Sequence, residues 1–128
     1  MTKPLRVLMA SSDELFEQVI REVIEGGGHR LSILNPWKGE QEFLDEARTG
    51  EYDVVVLTNV GLPLDYSLGL IAPLRQSCSA KVIVMSGAAD QEDRERAIRE
   101  GAVAFYKLPI VTVDKIRDAV EEAARDTV

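Results

Sequence analysis

A chain of 128 residues is long enough for one domain with a substantial core, and it needs neither a disulfide nor a metal to hold it. Its 22 acidic against 15 basic residues leave a net charge of −7, so phosphate backbones and anionic bilayers repel it, and neither direct nucleic-acid binding nor membrane association is expected. One cysteine, Cys78, excludes an internal disulfide, and the amino-terminal Met-Thr-Lys-Pro-Leu lacks a signal-peptide apolar core, so the expected location is cytoplasmic.

An apolar run ending at Ala10 predicts a first strand, and Leu15, Phe16, Val19, Ile20, Val23 and Ile24 follow at helical spacing. Ser11-x-x-Glu14 reads as a capping box with Ser11 as N-cap and Asp13 in the first turn. Gly26-Gly-Gly28 ends that helix through a left-handed cap. His29 then reads as a surface turn residue. Residues 30–34 predict a short second strand, broken by Pro36, with Trp37 packing over the sheet edge. Phe43, Leu44 and Ala47 mark a second helix ending at Gly50. Residues 54–57, all Val and Leu, form the kind of run that a parallel strand buried on both faces requires. A helix near 66–76, a strand over 81–85, a helix over 90–100, a strand over 102–106 and a helix over 112–125 complete the pattern. Asp90 and Thr112 are the expected N-caps, and Val113, Ile116, Val120 and Ala123 the buried stripe of the last helix. Cys78 reads as a small residue at a helix-to-strand junction. Five strands alternating with five helices imply one α/β domain over 1–128, a parallel sheet covered on both faces. Such sheets place sites at the carboxyl ends of their strands.

Four segments carry a more specific signal: Arg6-Val-Leu-Met-Ala-Ser-Ser-Asp13, Tyr52-Asp-Val-Val-Val-Leu-Thr-Asn-Val-Gly-Leu-Pro63, Val82-Ile-Val-Met-Ser-Gly87 and Gly101-Ala-Val-Ala-Phe-Tyr-Lys-Leu-Pro109. In this order they resemble the receiver domain of bacterial two-component response regulators. The resemblance implies a three-layer, doubly wound, flavodoxin-like sheet with strand order 2-1-3-4-5. It also implies a site in which paired acids after strand 1 hold Mg²⁺, an aspartate after strand 3 accepts a phosphoryl group, a Thr or Ser ends strand 4, and Lys-Pro follows strand 5.

The charges of that site are missing here. Ser11 and Ser12 stand where the resemblance puts the metal acids, and neutral hydroxyls are poor ligands for a hard cation. The phosphoacceptor position falls on Thr58, six residues after Tyr52, or on Asn59, four before Pro63; Asn59 is favoured because Asn-Val-Gly-Leu-Pro differs from the family loop only at the acid. Asp53, the nearest acid preceding these positions, lies at the opposite end of that strand. The loop Leu64-Asp-Tyr-Ser-Leu-Gly69 departs from the family, so local reshaping is expected beside the site. Ser86 takes the switch hydroxyl position. Ungapped counting puts Phe105 at the switch aromatic and Leu108 at the lysine, leaving Lys107 one residue early and, by strand alternation, pointing away.

The degenerate pocket is therefore Ser11, Ser12, Asp13, Thr58, Asn59, Ser86, Lys107 and Leu108, with no catalytic residue, no cofactor and no metal expected. The resemblance implies a working face made by the helices at 90–100 and 112–125 and the strand between them, where Arg94, Arg99, Phe105 and Tyr106 would meet a protein partner or a second copy, with only one of the two aromatics facing outward. The leading reading is a phosphorylation-independent interaction module. Its alternatives are a conventional phosphoaccepting regulator with a rearranged site and, in a different class, a flavodoxin-like small-ligand binder. Asp13 and Glu14 disfavour the last, since they would repel a phosphate at that helix start. No sequence motif of an enzyme is present.

Overall fold

The computed structural model describes residues 4–59, 62–87, 90–107 and 114–125. Its strands are β1 (Arg6–Ala10), β2 (Arg30–Leu34), β3 (Val54–Thr58), β4 (Lys81–Ser86) and β5 (Ala104–Lys107). Its helices are α1 (Glu14–Gly26), α2 (Glu40–Thr49), α3 (Leu64–Leu68), α4 (Ile71–Ser77), α5 (Gln91–Glu100) and α6 (Asp114–Arg125). All strand pairs are parallel and the order is β2-β1-β3-β4-β5, as expected of a doubly wound flavodoxin-like sheet.

Alternation along the central strands explains the two cores. Leu8, Val55, Leu57, Val82 and Val84 face α2, α3, α4 and α5, meeting Phe43, Leu68, Ile71, Leu74 and Ala97. Val7, Met9, Val54, Val56, Ile83 and Met85 face α1 and α6, meeting Ile20, Ile24, Ile116, Val120 and Ala123. Each central strand thus buries both faces, which is why β1, β3 and β4 read as apolar runs. The remaining exposed large apolar side chains on helices include Leu15 and Val19 on α1.

Several expectations are corrected. The helix near 66–76 is two helices, α3 and α4. Pro73 has no N–H and is tolerated only in a first turn, so a new helix starts at Ile71 after Gly69 and Leu70 close the previous one. The N-cap of α1 is Asp13, whose carboxylate accepts the Phe16 N–H at 2.9 Å, not Ser11; Ser11 Oγ instead accepts the Asp13 N–H at 3.2 Å. A carboxylate is the stronger acceptor for a donor at the positive end of the helix. Only Gly28 of the three glycines is left-handed, at φ +90°, whereas the C-cap Gly27 lies at −86°. A Cβ on Gly27 would meet Arg117 Cδ of α6 at 2.5 Å, so that side chain would have to shift.

His29 is not a surface residue but is buried, with Nδ1 accepting the Leu5 N–H at 3.0 Å and Nε2 bonded to Glu121 at 2.7 Å. The Leu5 bond assigns the ring proton to Nε2, so His29 joins the start of the sheet to α6. Trp37 does not pack over the sheet edge; it stays 62% exposed and meets Tyr66 edge-on, with centroids 4.8 Å apart. Cys78 is the C-cap of α4, as its junction reading implied. Asp90 caps α5 with a full capping box through Asp93, and the Asp93 N–H, donating to Asp90 Oδ1 at 2.9 Å, is the leading cause that holds the Asp90 carboxyl below its usual range. The expected cap Thr112 and stripe residue Val113 lie outside the described residues.

Candidate functional site

The carboxyl ends of β1, β3, β4 and β5 are Ala10, Thr58, Ser86 and Lys107, and the register aligns Thr58 with Met85 and Ser86 with Lys107. Loops leaving these ends carry the sequence-predicted site residues. Because parallel strands all deliver their ends to one edge, Ser11, Ser12, Asp13, Thr58, Asn59 and Ser86 gather along it.

The two candidates at the end of β3 behave differently. Thr58 is fully buried, and its hydroxyl donates to the Ala10 carbonyl at 2.8 Å, tying β3 to β1. Asn59 is half-buried, and its Oδ1 accepts the Gly87 N–H at 3.2 Å, reaching the loop after β4. Strand alternation makes this division: one residue turns into the packed sheet and the next toward the adjoining loop. Ser11 is buried and accepts from Asp13, Ser12 is half-buried, and Ser86 is buried at the end of β4.

Lys107, opposite Ser86 in the register, turns to another side. It shares the α5-facing side of β5 with Phe105 and lines a depression of about 230 Å³ with Asp90, Gln91 and Arg94. Arg94 and Arg99 are both exposed on α5. Phe105 is buried at 9% exposure, so it belongs to the core. Tyr106 points to the other side, beside Glu122 and Arg125 of α6, where burial and then the Glu122 charge push its phenol upward. The expected aromatic pair is therefore split between the faces of β5, and Tyr106 is the accessible member. Leu108 lies outside the described residues.

The reshaped segment after Pro63 supplies contacts that sequence reasoning did not name. Ser67 is fully buried and donates to the Thr58 carbonyl at 2.7 Å. Tyr66 shares its hydroxyl proton between Glu40 Oε1 at 2.7 Å and the Pro36 carbonyl at 3.0 Å. Burial first, then the Glu40 bond, pushes the Tyr66 phenol up to about 12. Asp65 forms an ion pair with Arg96 of α5, the leading cause of the upward shift of that guanidinium. The only sequence signal was the delayed glycine at position 69.

No family model matches the chain. The KDP operon transcriptional regulatory protein KdpE of Escherichia coli is 30% identical over 103 residues, covering 80% of this chain and 44% of KdpE. The sensory/regulatory protein RpfC of Xanthomonas campestris is 26% identical over 130 residues, covering 98% of this chain and 17% of RpfC. The chain thus spans less than half of either relative. Among solved structures, a response regulator from Thermotoga maritima superposes with a TM-score of 0.80 at 21% identity, over 95% of this chain and 98% of that one. The Francisella response regulator 1452 receiver domain gives 0.79 at 24% identity, over 94% and 97%. The receiver fold implies a magnesium ion at this edge; among the described residues no three of His, Cys, Asp and Glu cluster there, Ser11 and Ser12 offer neutral hydroxyls, and Asp13 Oδ1 caps α1. The chain thus has the receiver fold, and its sequence is similar to KdpE over 80% and to RpfC over 98% of its length.

Proposed function

We propose that this domain is a phosphorylation-independent protein-interaction module of a two-component (phosphorelay) pathway, with Asn59 at the phosphoacceptor position. The observation that carries the reading is the Asn59–Gly87 bond: the side chain at the end of β3 is a neutral amide already engaged with the next loop. An amide is not a nucleophile at neutral pH, and a phosphate on Thr58 would be a stable ester formed at a fully buried hydroxyl. Phosphoryl transfer further needs a cation and a compensating lysine, whereas Ser11 and Ser12 are neutral and Lys107 faces α5.

The module works in the cytoplasm, without enzymatic activity of its own, through the face built by α5, β5 and α6. There Arg94 and Lys107 border one depression and Tyr106 another, an anchor with charged surroundings that suits a protein partner or a second copy. With a net charge of −7 the module does not bind nucleic acid directly. Incubation with Mg²⁺ and acetyl phosphate, followed by intact mass, should give no adduct; a labile gain of one phosphoryl group overturns the reading.

A further inference from the structure

Three consecutive residues of α3 hold three different parts of the sheet edge. Successive helical residues point about 100° apart, so a single turn presents side chains in separate directions. Asp65 reaches Arg96 on α5, Tyr66 reaches Pro36 in the loop between β2 and α2 and Glu40 at the start of α2, and Ser67 reaches the Thr58 carbonyl at the end of β3. Trp37 on that loop closes edge-on against the Tyr66 ring, adding an apolar contact to the hydrogen bonds. A second route runs from the same place: Asn59, next to the Thr58 that Ser67 holds, bonds the backbone that leads into α5.

We propose that α3 is a three-way coupler that joins the β2–α2 loop, the end of β3 and α5 into one rim, so that the chain's own contacts set the position of α5. The device deepens the reading above and rests on it, because a rim positioned this way needs no phosphoryl group to place the working face. The three ties differ in kind. Ser67 is buried and its bond is protected from water, whereas the Asp65 side chain is 91% exposed and its pair is screened by salt. Coupling therefore depends on the ties sharing one short helix more than on the strength of the ion pair.

Two substitutions remove one tie each while leaving the buried contacts in place. Tyr66→Phe loses bonds that lead only to Pro36 and Glu40, and Asp65→Asn loses a pair that leads only to α5. A coupler transmits each loss to the far side. Tyr66→Phe should raise amide hydrogen exchange over residues 90–96 several-fold, and Asp65→Asn should raise acrylamide quenching of Trp37, the only tryptophan. The double variant should be little worse than the stronger single one. Effects confined to the segment each residue touches, or strictly additive in the double variant, overturn the proposal. Neither readout involves phosphate, so a phosphoryl adduct in the mass experiment would sink the functional reading while these measurements would still decide the coupler.

Discussion

The two ends of the sheet are both held by side chains, but with a different balance of charged and neutral ties. At the amino end the ties are ionic or ionisable: Asp53 accepts the Arg6 N–H at 2.9 Å, His29 bridges Leu5 and Glu121, the Tyr52 hydroxyl meets Glu46 at 2.6 Å, and the Arg6 guanidinium lies over the Tyr52 ring. Along the carboxyl end, beside the Asp13 cap and the Asp65–Arg96 pair, four ties are neutral: Thr58 to Ala10, Ser67 to Thr58, Asn59 to Gly87, Ser11 to Asp13 N–H. The receiver fold implies a concentration of charge at the carboxyl end. Here three hydroxyls and an amide each bond a backbone group, and none of these four ties carries a charge.

The largest test of this contrast puts the charge back. Ser11→Asp, Ser12→Asp and Asn59→Asp together would crowd carboxylates beside Asp13, and Ser11 is only 1% exposed, so the variant should lose on the order of several kcal/mol in EDTA. Mg²⁺ should return part of the loss by neutralising the cluster. A triple variant melting with the parent in EDTA would show that the neutral edge owes nothing to the absence of repulsion.

The other end offers the next test. His29→Leu strands the buried Leu5 N–H and removes the partner of Glu121, at a cost of about 2 kcal/mol measured as a shift in urea midpoint. Chemical labelling of the carboxyl end should be unaffected. An unchanged midpoint would mean that water or a neighbour replaces the histidine without penalty.

How far the sequence foretold this architecture depended on the range of the interactions involved. The Val-rich runs of β3 and β4, the alternation order and the Asp90 cap are set by residues within a few positions, and the structure agrees with them. The cap of α1 shifted by two residues because Ser11 and Asp13 are both competent acceptors, and local pattern does not rank them. His29 was misread because its partners lie 24 and 92 positions away, invisible to any window around the glycines. The split of α3 from α4 was legible in principle from Gly69 and Pro73, but the three contacts of Asp65, Tyr66 and Ser67 depend on where the neighbouring loops arrive. Likewise, alternation separates Phe105 from Tyr106, yet only packing against α5 and α6 decides which one is core.

The central claim, that the neutral Asn59 amide at the end of β3 holds the loop after β4 with no phosphoryl group or cation, is most directly tested at the Gly87 amide, which Asn59 holds at 3.2 Å. Its NMR resonance can be followed while Mg²⁺ and acetyl phosphate are added in excess. The account predicts that it stays where it is in the free protein; a progressive, saturating shift that Asn59→Ala abolishes would contradict it.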